Sequence, residues 1–113
     1  MEKTNTLEIL NNLNDTFRMF STRTIKMAHV HEREDLAEKV TKMTYATEFL
    51  VAETNDDISI IDAYIDFLSS CADTMEALGE KEHESMRLLI DDCKALREVT
   101  FRVCKLDERL HLS

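Results

Sequence analysis

The residues best suited to binding a metal are histidines close to an acid. Glu80 and His83, and likewise Glu108 and His111, have the spacing Glu-x-x-His, which places two ligands on one helix face in carboxylate-bridged di-iron bundles. The two motifs start 28 residues apart. In one helix they would be separated by about 42 Å and would not share a metal. We therefore interpret both motifs as chance matches and expect no metal site.

Two shorter runs also contain ligand-type residues. In His29-Val30-His31-Glu32 the histidines alternate, and alternate side chains share a side only on a strand, whereas we expect a helix junction here. The run Asn55–Ser59 begins like a calcium-binding loop, but Ile58 or Ile61 occupies a ligand position. The loop glycine and the terminal glutamate are also missing. We expect solvated histidines and no calcium site.

Nucleophilic chemistry has little support in this sequence. Cys71, Cys93 and Cys104 have neither metal nor redox spacing, and each falls on or beside an apolar helical face, so we interpret them as reduced core residues. Gly79 is the only glycine, so the chain has no glycine-rich phosphate loop. We expect no catalytic residues and no cofactor, although a site assembled from distant residues stays open.

The acidic residues are distributed unevenly along the chain. Residues 1–42 contain seven acids and seven bases, as do residues 81–113, whereas residues 43–80 contain nine acids and no Lys or Arg. The net charge of −9 therefore comes from the middle third of the sequence. A field of one sign selects binding partners, and this one has the wrong sign for direct contact with nucleic acid.

Five of these acids fall within about 80° of one another on a helical wheel, beside the apolar face. We call them the acidic stripe: Asp62, Asp66, Asp73, Glu76 and Glu80. Like charges three or four residues apart cost roughly 0.2 to 0.5 kcal/mol per pair, so the stripe calls for an offset. The offset is either a basic partner or bases of this chain, namely Arg18, Arg23 and Lys26 or Lys39 and Lys42. The charges of the following helix alternate in sign, and we expect them to neutralise one another.

Two further surfaces are suited to contacts. A strip of small side chains permits the close approach of another helix or of a partner, and it consists of Ser59, Ala63, Ser70, Thr74 and Ala77. Tyr45 and Phe49 lie four residues apart and are rotated away from the main apolar seam of their helix. They belong either to a second buried face or to a hydrophobic anchor, and we predict a subunit contact.

Four apolar seams with spacings of three and four residues predict four helices. They are Leu10, Leu13, Phe17, Phe20, Thr24 and Met27; Leu36, Val40, Met43, Thr47 and Leu50; Ile58, Ile61, Ile65, Leu68, Ala72 and Met75; and Met86, Leu89, Cys93, Leu96, Thr100 and Val103. The first two seams are out of phase, which predicts a break between His29 and Asp35, with Asp35 as N-cap. A turn at residues 54–57 and a C′ glycine at Gly79 separate the remaining helices. We expect the fourth helix to cover about residues 81–106.

The absence of proline and the predominance of Leu, Met, Glu, Lys and Ala indicate an all-α protein. We predict that residues 1–113 form a single helical domain, an antiparallel four-helix bundle that forms a homodimer. The alternative is three long helices with a kink near residues 29–35. An apolar signal segment and a membrane-spanning segment are both missing from this sequence, so we expect a cytoplasmic location, in a cell or in the host of a virus.

The function that these features favour is noncatalytic. We expect a small acidic adaptor, inhibitor or chaperone-like accessory protein, of the kind that viruses also encode, which binds a basic partner protein through the acidic stripe. One alternative is an inhibitor that imitates nucleic acid and competes for a DNA- or RNA-binding protein. A second is a helical-bundle enzyme or ligand-binding protein, which requires a pocket of converging polar groups such as His83 facing carboxylates of another helix.

Overall fold

Helices make up nearly all of the computed structural model, which describes the backbone of residues 2–112 and the side chains of residues 8–103. In chain order they are α1 (Glu2–Val30), α2 (Glu34–Glu53), α3 (Asp57–Ala77) and α4 (Glu82–Leu112). The described backbone contains no strand. The predicted all-α class and helical bundle are therefore confirmed. The antiparallel orientation of all four helices and the dimeric state stay predictions.

A tight turn separates α1 from α2, so the alternative of one kinked helix is wrong. Glu32 adopts a left-handed conformation with φ of 57°. The N–H of Arg33 donates to the carbonyl of Ala28 at 2.8 Å, and the N–H of Glu32 donates to that of His29 at 3.0 Å. These two bonds form the Schellman motif that commonly ends a helix.

The start of α2 differs from the sequence expectation. Arg33 occupies the N-cap position and provides no side-chain cap, whereas Asp35, the predicted N-cap, lies in the first turn. The Asp35 carboxylate accepts hydrogen bonds from the guanidinium of Arg33, both at 3.0 Å. The hydrogen bond from Arg33 is the largest cause of the lowered pKa of Asp35, and the backbone N–H groups of Leu36 and of Asp35 itself contribute in the same direction.

Both predicted ends of α3 are confirmed. Asp56 is the N-cap, and its carboxylate accepts the backbone N–H of Ser59 at 3.1 Å. At the other end Gly79 has φ of +77°, and the N–H of Glu80 donates to the carbonyl of Met75 at 3.0 Å. The turn after α3 is thus the same Schellman motif as the turn after α1, with glycine at the left-handed position.

Helix α3 is the centre of the bundle. It contacts all three other helices, whereas α2 and α4 do not touch each other within the described part of the chain. Ten of its 21 residues are buried. Its aromatic residues meet α1, where the ring of Phe17 lies 5.4 Å from that of Tyr64 and 4.6 Å from that of Phe67. The order of the other helices around α3 decides which of their faces stay exposed.

The predicted seams of α1 and α3 face the core, but those of α2 and α4 do so only in part. On α2 the seam residue Val40 is fully buried, whereas Leu50 is 50% exposed. On α4 Leu89 is 39% exposed, and Ile90 is buried in its place at 4% exposed. The physical reason for α2 is its position, because it packs on α1 and α3 and has no third helix over its outer side.

Candidate interaction surface

Three of the five stripe acids contact two arginines of α4. Arg97 donates from Nε to Asp62 Oδ1 at 2.5 Å and from Nη2 to Oδ2 at 3.3 Å. Arg87 donates from Nη2 to Asp73 at 2.9 Å and reaches Glu76 at 3.5 Å. The hydrogen bonds to Asp62 and Asp73 raise the pKa of the two guanidinium groups. Three stripe acids thus lie along the contact between α3 and α4.

The fourth paired acid, Glu80, lies where the turn after α3 meets the turn after α1. Its carboxylate accepts a hydrogen bond from Nε2 of His31 at 2.8 Å. Next to it Arg23 of α1 forms an ion pair with Glu82, and this hydrogen bond is the main reason why the pKa of Glu82 is lowered. His83 lies 3.6 Å from Glu76 of α3. This end of the bundle is therefore held together by polar contacts between helices.

The bases that we expected to offset the stripe from within the chain do not form ion pairs with it, although the charge of Glu80 contributes to the raised pKa of Arg23. No stripe acid forms an ion pair with Arg18, Arg23, Lys26, Lys39 or Lys42 among the described side chains. The turn at Gly79 is the sequence signal that identifies the true pairs. Asp62 precedes this glycine by 17 residues and Arg97 follows it by 18, while Asp73 precedes it by six and Arg87 follows it by eight.

Asp66 is different from the other four stripe acids. It forms no ion pair or hydrogen bond with any side chain that the structure describes, and it is exposed. Its side chain lies at the edge of a groove between α2 and α3. Asp66 is therefore the one stripe acid without an ion pair among the described side chains.

The groove between α2 and α3 has a volume of about 300 Å³ and is mostly apolar. Its walls are Met43, Ala46, Thr47 and Leu50 of α2 and Ala63, Asp66, Phe67 and Ser70 of α3. Ala63 and Ser70 belong to the strip of small residues, so part of that strip forms the α3 wall. Asp66 is the only charged residue among these eight. The sequence analysis did not predict a groove here, but it did predict that the strip of small residues permits the close approach of another helix or of a partner.

The outer side of α2 extends this apolar surface toward solvent. Tyr45 is 68% exposed and Phe49 is 69% exposed, so the two rings do not form a second buried face within the described chain, and their role in a subunit contact stays a prediction. Leu50, the next residue in the chain after Phe49, lines the groove. We call Tyr45, Ala46, Phe49, Leu50 and Asp66 the α2–α3 face. Large exposed apolar residues that adjoin one another are typical of interaction sites rather than of free surface.

A second groove, of about 280 Å³, lies between α1 and α4 and is less suited to a charged partner. Met19 and Leu89 line it together with Arg23 and Glu82. The two charged residues form an ion pair with each other, so neither is left for a ligand. The α2–α3 face is thus the better candidate of the two.

Catalytic chemistry gains no support from the described side chains. Burial raises the pKa of the Cys71 thiol to about 12, and burial also raises the pKa of Cys93. Neither thiol is therefore an activated nucleophile at neutral pH. No group of three or more His, Cys, Asp or Glu residues is arranged to hold a metal within the described part of the chain. Cys104, Glu108 and His111 lie outside the described side chains.

None of the described helices combines the length and the apolar character needed to cross a membrane. No protein-family model matches this chain, and no curated protein or solved structure is significantly similar to it. Its function therefore has to be inferred from its own residues.

Proposed function

We propose that this protein is a noncatalytic protein–protein interaction module whose contact surface is the α2–α3 face. The observation that carries the proposal is an apolar groove lined by the half-exposed Leu50, with Asp66, an acid without an ion pair among the described residues, in its lining. Tyr45 and Phe49 add two exposed rings on the same helix. Such a module acts as an adaptor, an inhibitor or a chaperone-like accessory protein. A cytoplasmic location, with Cys71 and Cys93 kept as reduced thiols, is part of the proposal.

The apolar residues of the α2–α3 face supply the affinity. Burying a side chain of the size of Phe or Leu contributes roughly 1.5 to 3 kcal/mol, and Phe49 and Leu50 are both at least half exposed. Aromatic side chains are also enriched among the residues that dominate binding energy at interfaces. A partner that covers this face has to present apolar side chains to it.

Asp66 supplies the charge selection. Residues 43–80 contain no Lys or Arg, so the α2–α3 face, which lies within this range, has no base of its own. A basic group on the partner gains a charge-assisted contact there, and a rim charge of this kind acts mainly on the association rate and the salt dependence. The number of stripe acids to which we assign the selection of a basic partner thus falls from five to one, Asp66.

Imitation of nucleic acid has less support than binding through an apolar face. That alternative needs a row of unneutralised carboxylates, whereas Asp62, Asp73, Glu76 and Glu80 each contact a base or a histidine of this chain. An enzyme or ligand-binding bundle would need a pocket with converging polar groups. The α2–α3 groove has Asp66 as its single charged lining residue. We therefore keep one proposed function.

The proposal is tested by affinity capture from a lysate of the source organism. We expect the immobilised wild-type protein to retain specific proteins that the double variant Phe49→Glu, Leu50→Glu loses. The matched control is Leu88→Glu on α4, because Leu88 is 68% exposed and lies away from the face. We also expect Asp66→Asn to weaken the salt dependence of retention. Equal recovery of every specific protein by the double variant, with unchanged helicity, would contradict the proposed function.

A further inference from the structure

We infer that the partner of the α2–α3 face is a second copy of this chain, and that two α2 helices pack against each other in antiparallel orientation. This inference rests on the proposed function, because it assigns an occupant to the same face. It is carried by the pattern of charges along the outer side of α2 and by the position of its apolar residues.

The outer side of α2 carries its own seam, separate from the one that faces the core. Its residues follow spacings of three and four and are Lys39, Lys42, Ala46, Phe49 and Glu53, with Met43 and Leu50 beside them. All of these are exposed except Met43, which is partly buried. Unlike the seam of a coiled coil, which is apolar along its length, this seam is apolar only at Ala46 and Phe49 and has charged residues on either side of them. The uncovered side of α2 thus offers a second helix a short apolar contact between charged ends.

The two ends of this seam carry opposite charges that lack partners. Neither Lys39 nor Glu53 forms an ion pair among the described side chains. They lie 14 residues apart, which corresponds to about 21 Å along the helix. Ala46 lies midway, seven residues from each. The seam is therefore positive at its start, apolar in its second half and negative at its end.

Antiparallel pairing about Ala46 matches these features on two copies. Lys39 of one copy then faces Glu53 of the other, Met43 faces Phe49, and the two Ala46 residues face each other on the two-fold axis. The contact is isologous, as in most homodimers. Parallel pairing would instead place Lys39 opposite Lys39 and Glu53 opposite Glu53, so like charges would repel at both ends.

The centre of the seam also suits a close approach. Ala46 has a small side chain and lines the groove, whose α3 wall holds Ala63 and Ser70. A small residue at the crossing point lets two helices approach to the shorter end of the usual 8 to 10 Å range. Asp66 at the rim offers the lysines of the second copy a further acceptor. The same acid that selects a basic partner thus finds one in α2 itself.

The test uses exchanged charges and analytical ultracentrifugation of the purified full chain. We expect wild-type protein to form dimers, and we expect Lys39→Glu alone and Glu53→Lys alone each to weaken dimerisation by about tenfold or more. Mixing these two variants restores dimers, because each heterodimer contains two opposite-charge contacts again. Lys94→Glu on α4 is the matched control for the charge change and keeps the wild-type affinity. Restored dimers on mixing also show that both variants fold.

The register is tested separately by cross-linking. Under mild oxidation Ala46→Cys forms a disulfide-linked dimer, whereas Ala52→Cys, which is exposed on α2 but lies off the seam, does not. A wild-type chain that stays monomeric up to high concentration overturns the inference. So does a wild-type dimer that both single charge variants keep unchanged. The proposed function survives either result if Phe49→Glu, Leu50→Glu still loses a specific partner in the capture experiment, and it fails if that variant loses none.

Discussion

Asp62 on α3 accepts two hydrogen bonds from the guanidinium of Arg97 on α4, at 2.5 and 3.3 Å, across 35 residues of chain. A planar guanidinium that meets both oxygens of a carboxylate fixes direction as well as distance. Arg87 holds Asp73 further along the same pair of helices. The stripe acids that attract attention in the sequence therefore serve in part to fix α4 on α3.

We predict that the stripe divides into acids that stabilise the fold and one that does not. Asp62→Asn and Asp73→Asn each lower the free energy of unfolding by roughly 0.2 to 1 kcal/mol at a partly exposed site, because the first leaves Arg97 without its carboxylate and the second leaves Arg87 with only the longer contact to Glu76. Asp66→Asn leaves the free energy of unfolding unchanged or slightly higher, since the substitution removes a like-charged neighbour of Asp62. Urea unfolding at low salt measures all three. A loss for Asp66→Asn as large as that for Asp62→Asn would contradict this division.

We predict that Glu32→Gly stabilises the protein. Glu32 has φ of 57°, a conformation that costs a non-glycine residue about 1 to 2 kcal/mol and glycine almost nothing, while glycine loses more entropy on folding. The net gain is about 0.5 to 1 kcal/mol in the free energy of unfolding. The converse control is Gly79→Ala, which lowers the free energy of unfolding, because Gly79 has φ of +77° in the same motif. The cost comes from the backbone conformation, since the Cβ of an alanine there would meet no atom within 4 Å. Thermal and urea unfolding that shift in the same direction for both variants would argue against this account.

We predict an acid-sensitive contribution from Glu82. The hydrogen bond from Arg23 lowers the pKa of Glu82 below its usual 4.5, so the unfolded chain binds this proton more readily than the folded one. The stabilisation is complete above the unfolded pKa and is lost as the pH falls through the folded pKa. Glu82→Gln therefore lowers the free energy of unfolding at pH 6, and the difference from wild type shrinks below about pH 4.5. Glu84→Gln, at an exposed acid of the same turn, is the control, and a difference that grows on acidification would exclude this role.

We predict that the Cys71 thiol is modified only when the protein opens. Burial raises its pKa to about 12, so its thiolate is scarce at neutral pH, and the sulfur is also inaccessible to a reagent. Alkylation followed by mass spectrometry of the peptides should show Cys71 reacting at the rate of global unfolding. A cysteine introduced by Ala52→Cys provides the exposed reference. Modification of both positions at the same rate in the folded protein would contradict the buried placement of Cys71.

Local chemistry was enough to predict the four helices and most of their ends. Spacings of three and four residues, the absence of proline, the turn at residues 54–57 and Gly79 at C′ all act within a few residues, so the sequence carries them directly. One exception is α4, which ends at Leu112 and not near residue 106. Another is Asp35, which was expected to cap α2. Its carboxylate is held by Arg33 instead, a competition between two local contacts that the pattern of residue types does not rank.

The sequence by itself determined that the chain is all-α, where its helices break, and which residues of α1 and α3 face the core, because these depend on neighbours along the chain. Only the tertiary structure decided which acids stay available and which apolar residues stay exposed. Asp62 meets Arg97 because α4 packs on α3 after the turn at Gly79, while Asp66 lies at the groove between α2 and α3, whose lining contains no Lys or Arg. Phe49 and Leu50 are exposed because α2 packs on α1 and α3 and does not touch α4 in the described part of the chain.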